Sequence, residues 1–459
     1  MNGLPAFAPP LVPAGIISQI DWPPVPTARA AAFLAMLFQL EQSQWLPAEE
    51  LARRQLAQAG RLLQHAFDTV PHYREKYRDW EGGRLDWARW RELPMLQRAE
   101  LQSHGAALRS TREPPGHGNV RRYGSSGSSG QPVNVLGNDT THFFSLVLGL
   151  RDHVWHRRDV MLKHGAIRSK VERTRATGWG EWADSLHCGP AAMLNIGSDL
   201  ATQLDWLFDE RPAYLLTHPS NLQALLEYAR SAGRTPDFLR EVRTFGEMLK
   251  PGLREAVKAH WNVRLSDLYS AEELGPIALQ CPQHEHYHVQ AENLLVEILR
   301  EDGTPCQPGE TGSVVVSTLH NFTMPLIRYR LHDHAVAGEP CPCGRGLPVL
   351  SRIAGRSRNM LHLPDGRSHW PSFPGAAFTA LAPVQQFQLA QTALDTIEAR
   401  LVCPRPLTAD EEAALQAMLG QQLGYPFRID FRYLTHINPG PNHKFEDFIS
   451  LLSMSHPAR

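Results

Sequence analysis

The chain has 459 residues, 42% of them hydrophobic, which is enough for two to four domains with cores of ordinary size. Its 46 Lys plus Arg balance 47 Asp plus Glu, and a formal net charge of -1 excludes a protein that binds nucleic acid mainly by neutralising phosphates. No apolar run approaches the roughly 20 residues of a membrane span. The stretch Ala30–Phe38 is too short, and too poor in basic residues before it, for a secretion signal. Six cysteines over this length read as a reducing, cytoplasmic compartment rather than a disulfide framework.

In chain order, residues 1–28 are rich in Pro and Gly and read as a surface arm, followed by a helix within the segment 1–45. From Pro47 the pattern is helical: Leu51, Leu56, Ala59, Leu62, Leu63, Ala66 and Phe67 make one stripe, with Arg53, Arg54 and Arg61 off it. Residues 72–94 mix short helix and loop. Residues 119–123 and 132–137 have strand character and bracket a Gly/Ser string. The run 213–218 reads as a strand buried on both faces, and 219–233, opened by Pro219 and closed by Gly233, reads as a helix. A strand passing directly into a helix implies a parallel α/β sheet. Residues 293–319 hold two β-rich runs around a Gly/Pro turn, an expected antiparallel hairpin. The last hundred or so residues read as a small α+β domain: a strand over 385–403, a helix with a Thr408/Glu411 capping box closed by Gly424, and a strand over 428–437.

Several short motifs carry chemistry. Gly124-Ser-Ser-Gly-Ser-Ser-Gly130 can be a flexible linker, but its backbone N–H groups and hydroxyls also suit an anion. It lacks the Gly-Lys-Ser/Thr ending of a P-loop. "DLYSAEELGP" (267–276), "MPLIRYRLHDHA" (324–335), "RIAGRSRNML" (352–361, a glycine-centred turn) and "NPGPNHKFEDF" (438–448) are each unremarkable alone.

In this order and spacing they resemble the adenylate-forming superfamily of acyl-CoA synthetases, most nearly phenylacetate–coenzyme A ligases, from about Leu46 to the end of the chain. The resemblance implies a large mixed α/β domain over 46–354 with parallel sheets, and a mobile α+β lid over 355–459. It implies ATP-dependent formation of an acyl- or aryl-adenylate and then a coenzyme A thioester of an aromatic or apolar acid. Transfer to a carrier-protein phosphopantetheine or an amine is the alternative, as is a catalytically degenerate nucleotide-binding scaffold. On this likeness Ser125, Ser126, Gly127, Ser128, Ser129 and Gly130 hold phosphates, and Gly246 and Glu247 line the adenine site. Tyr269, Ser270 and Arg356 also belong to the ATP site, and Asp333 holds the ribose. Glu273 ligates Mg²⁺, Lys444 bridges carboxylate and α-phosphate, and Arg358 marks the hinge. The chain departs from the family at Gln131 (commonly Lys), Arg358 (usually Asp) and His443 (usually Gly).

Cysteine and histidine cluster at Cys281, His284, His286 and His288 and again at Cys341 and Cys343, the ligand types of tetrahedral zinc. The resemblance implies a structural site of Cys281, His288, Cys341 and Cys343; His284, His286 and His288 compete for the imidazole place, with His286 second to His288, and metal-free cysteines with solvated histidines are the bland reading. The expected partners are thus a small carboxylic acid, ATP and coenzyme A, with neither nucleic acid nor membrane. The oligomeric state is left open, a dimer being compatible.

Overall fold

The structure is a computed structural model that describes residues 11–20, 22–80, 82–83, 85–124, 133–371, 373, 375–437 and 446–452. Two groups expected at the site, Ser125 through Gly130 and Lys444, lie outside the described residues, as do Gln131 and His443. The chain divides into two compact units: Met1–Glu247 with Val257–Ile353, and Met248–Ala256 with Ala354–Arg459.

In the first unit the arm is pinned by backbone pairing, Pro13 to Leu186 and Gly15 to Pro26. Helix Ala28–Ser43 then opens on a Thr27 cap. Helix Ala48–Thr69 buries Leu51, Leu56, Ala59, Leu62, Leu63 and Ala66, the stripe that the spacing dictates. It also buries Gln55, whose Nε2 donates to the Ala291 and Leu294 carbonyls at 2.9 Å each. That amide thereby gives its buried N–H groups two backbone acceptors.

The frame is a twelve-stranded mixed sheet. From the antiparallel edge strand Thr174–Ala176, its parallel half runs, in spatial order, Ala191–Asn195, His164–Arg168, Tyr214–Thr217, Glu241–Phe245 and Arg264–Ala271. Helices Leu200–Glu210 and Pro219–Ser231 link these strands, as a parallel sheet requires. The order continues through Gly275–Gln280, Tyr287–Val289, Val349–Arg356, Tyr329–Ala337, Thr311–Thr318 and Leu294–Leu299. The last two strands form the expected antiparallel hairpin.

Below the N-terminal ends of the parallel strands lies a buried charge network. Arg158 reaches Asp152 at 2.5 Å and Glu241 at 2.6 Å, Arg264 reaches Glu241 at 2.5 Å, and Arg243 reaches Asp152 at 3.0 Å. Removing such charges from water is costly and is tolerated only because each carboxylate meets two guanidinium groups. The opposite, C-terminal ends of the strands are left to form a crevice, the usual place for a ligand on such a sheet.

The second unit packs helix Ala409–Leu423 on a sheet ordered Arg428–Tyr433, Thr396–Val402, Gln386–Ala393 and Phe448–Ser450. Its core gathers Phe373, Phe378, Leu389, Ile397, Leu415, Leu419 and Phe448. The helix begins with the Thr408/Glu411 capping box and ends with Gly424 in the left-handed conformation. Two local expectations are corrected. Residues 385–403 form a hairpin, Gln386–Ala393 with Thr396–Val402, rather than one strand. Residues 352–356 are the end of the strand Val349–Arg356 rather than a turn.

Candidate active site

Four of the proposed ATP residues, Gly246, Glu247, Tyr269 and Ser270, stand at or just beyond C-terminal strand ends. Strand Glu241–Phe245 runs into Gly246, whose φ of 77° favours a residue without Cβ, and then into Glu247. Glu247 Oε2 accepts from the Ser220 N–H at 3.0 Å, where helix Pro219–Ser231 begins. One strand over, Arg264–Ala271 carries Tyr269 and Ser270. The Tyr269 hydroxyl donates to Asp333 Oδ2 at 2.8 Å, although Asp333 lies on Tyr329–Ala337, four places away in the sheet. The antiparallel half must curl to make that contact.

Glu273 sits in the turn between Arg264–Ala271 and Gly275–Gln280 and is held by a tertiary partner: Arg98 Nη1 lies 3.9 Å from its Oε1. Its side chain is only 6% exposed, so a charge here needs a cation near it. Tyr329 lies in the same surroundings, and burial, with Glu273 beside it, pushes its phenol well above the ordinary value. Glu273 faces a cleft of about 530 Å³ lined also by Tyr123, Thr141, Ser145, Asn293 and His320. Tyr123 immediately precedes the Gly/Ser string. The His320 ring is stacked on Phe144 with centroids 4.1 Å apart, and burial lowers its pKa, so it enters the cleft wall neutral.

Sequence reading missed Arg98, Tyr329, Thr141 and His320. Arg98 and Thr141 occupy first turns of helices whose sequences resemble any capped helix, and no local pattern links them to Glu273.

In the second unit, the Arg356 carbonyl accepts from the Trp370 indole at 2.9 Å. Arg358, in a short 3₁₀ turn, grips the Glu446 Oε1 with Nε at 3.0 Å and Nη2 at 2.5 Å.

The cysteine and histidine clusters meet in space. Ligand atoms of Cys281, His286, His288 and Cys341 all lie within 4.8 Å of one another. Cys343 Sγ is 3.4 Å from His288 Nε2, so all three expected thiols lie in one place with His286 and His288. The Cys281 and Cys341 sulfurs are 3.9 Å apart, close to the ~3.8 Å edge of a tetrahedron whose sulfurs stand ~2.3 Å from zinc. His286 Nε2 is 2.9 Å from Cys341 Sγ. Cys281, His288 and Cys341 are buried, and burial raises the Cys281 and Cys341 thiols. The donor types and the Cys281–Cys341 spacing fit a tetrahedral zinc.

These features define a class: a mixed sheet with a crevice at its strand ends, followed by a small α+β unit, is the fold of adenylate-forming enzymes. A 2-hydroxyisobutyryl-CoA ligase in the postadenylation state, bound to an acyl-AMP, matches with a TM-score of 0.71 at 18% identity over 89% of this chain and 91% of that one. An anthranilate CoA ligase bound to anthranoyl-AMP matches at 0.54 and 17% identity, over 72% and 65%. No family model matches the chain. Its sequence is phenylacetate–coenzyme A ligase-like: it is 28% identical to the Thermus thermophilus enzyme over 76% of this chain and 79% of that relative, and 25% identical to the Escherichia coli enzyme over 68% and 72%.

Proposed function

We propose that the protein joins a carboxylic acid to coenzyme A through an acyl-adenylate. The observation that carries this is the bond from Tyr269, near the end of its strand, to Asp333, with Glu273 four residues beyond Tyr269 in the adjoining turn and Gly246–Glu247 one strand away. In the first step a carboxylate oxygen attacks the α-phosphorus of ATP and pyrophosphate leaves. In the second the thiol sulfur attacks the acyl carbon and AMP leaves. Both steps bring anions together, so donors and cations around the phosphates lower the barrier.

Asp333 accepts the ribose hydroxyls, a task for an ionised carboxylate. Gly246 and Glu247 border the adenine, and the Gly/Ser string from Ser125 to Gly130 donates to the β- and γ-phosphates. Glu273 would hold Mg²⁺, which supplies positive charge to the phosphate oxygens. Lys444 approaches the carboxylate and α-phosphate during adenylation. Cys281, Cys341 and Cys343 with His288 or His286 would hold a zinc ion, which would tie the loop around residues 341–343 to the strand Tyr287–Val289. The acid is aromatic or apolar, and the setting is the cytoplasm; among the described residues no helix is long and apolar enough to cross a membrane.

The test is ATP–pyrophosphate exchange with a panel of aryl, arylacetic and short aliphatic acids, followed by offering coenzyme A, a carrier protein or an amine. Acid-dependent exchange and a coenzyme A thioester are the expected results. Exchange with no acid overturns the proposal.

A further inference from the structure

The residue at the hinge position, Arg358, departs from the acidic residue of the family, and its partner suggests what it does instead. Its guanidinium takes Glu446 in a two-point grip, with both side chains about one quarter exposed. Glu446 follows Lys444 by two residues. The next residue, Asp447, is held just as closely: its Oδ2 lies 2.7 Å from Lys250 Nζ, with side-chain exposures of 16% and 23%. Lys250 belongs to Met248–Ala256, the segment of the second unit that directly follows Glu247 in the chain. Backbone bonds complete the grip. Gln388 Nε2 donates to the Glu446 carbonyl at 3.0 Å, the Leu389 N–H to the Asp447 carbonyl at 2.8 Å, and Asn359 Nδ2 to the Phe448 carbonyl at 2.6 Å.

The backbone bonds alone would register the strand Phe448–Ser450 on Gln386–Ala393. The two ion pairs add something a strand register does not need: opposite charges from two separate segments close on consecutive acidic side chains. Partly buried pairs of this geometry are worth more than exposed ones, because less water screens them.

We propose that Arg358 and Lys250 are positioning residues for Lys444, fixing through Glu446 and Asp447 the point at which the lysine segment joins its strand. The inference rests on the reading of Lys444 as the adenylation lysine. A misplacement of about 1 Å in such a group costs catalysis far more than it costs folding.

The test uses the full chain, with Arg358→Ala, Lys250→Ala and the exchanged pair Arg358→Glu/Glu446→Arg. Two half-reactions are followed: pyrophosphate exchange with the best acid of the wild-type panel, and thiolysis of the matching acyl-AMP supplied from outside. Each single variant should lower the maximal exchange rate about tenfold or more while the KM for ATP and the thiolysis rate stay within about twofold. The exchanged pair should restore most of the exchange. Unchanged exchange, an equal loss in both half-reactions, or no restoration overturns the proposal.

The underlying functional reading fails differently: the wild type shows no exchange, or Lys444→Ala retains it in full.

Discussion

Asp333 and Tyr269 differ in what each loses when its bond is broken. The bond runs from a neutral phenol to a carboxylate. Removing the phenol costs one hydrogen bond, whereas removing the charge also turns one of the two carboxylate oxygens, acceptors proposed for the phenol and the ribose, into an NH₂ donor. Asp333→Asn should therefore raise the KM for ATP in pyrophosphate exchange by about tenfold or more, and Tyr269→Phe by only a few-fold. Equal effects would mean that Asp333 serves the phenol alone. The same scale decides the zinc set. A purified chain should carry close to one zinc, and Cys341→Ser should carry much less and melt at a lower temperature, because a structural metal contributes its binding energy to folding. Elemental analysis with thermal denaturation checks both, and pyrophosphate exchange in the surviving variant should persist if the metal only ties loops together.

Among the elements, the long helix Ala48–Thr69 has the most legible sequence. Its apolar residues recur at helical spacing, and Leu63, fully buried, belongs to a core that also holds Trp90, Tyr73 and Leu319. Leu63→Ala should cost about 2–5 kcal/mol in urea denaturation, more than any truncation of the exposed arginines on the same helix. Its Gln55 was not legible, since a buried amide is signalled only by the distant carbonyls it satisfies. The capped helix Ala409–Leu423 was readable because its start and stop signals are local. The hairpin at 386–402 was not: its reversal at Leu394–Asp395 contains neither Gly nor Pro, so the two strands read as one. At 352–356 the error ran the other way. Gly355 has a φ of 125° and accepts the close approach of Trp370, where a Cβ would come within 2.9 Å, so that glycine serves a packed strand end rather than a turn. The site divides in the same manner. Tyr269, Glu273 and Asp333 were legible from ordered motifs, but the Arg98 that faces Glu273 comes from a helix far away in sequence.

Over the whole molecule, acid should act unequally on the two units. The first unit buries His156 and half-buries His164, whose pKa values are pulled down to about 4 and about 3 by desolvation and by nearby arginines, and it buries His153, lowered well below its usual range. These imidazoles face Arg158, Arg243 and Arg264 as well as Asp152 and Glu241, so a proton adds a cation to a site already rich in them. The unfolded chain binds those protons below about pH 6.5 while the folded unit does not, and stability must therefore fall as pH drops from there. At pH 5 each of His156 and His164 would contribute a loss on the order of 2 kcal/mol. Glu241, held down to about 2 by its arginines against the cost of burial, adds a further loss only below about pH 4.5, where the unfolded carboxylate takes up its proton first. In the second unit, His362 and His369 are less buried and less depressed, and the lowered carboxyl of Glu411 is exposed. Calorimetry at pH 7 and pH 5 should resolve a transition of the larger unit that moves down by several degrees while that of the smaller unit moves little. His164→Phe, which keeps a ring in the same aromatic surroundings without a titrating nitrogen, should reduce the shift of the larger unit. Equal shifts in both units, or a shift unchanged in that variant, would place the acid sensitivity elsewhere than in the charge network beneath the sheet.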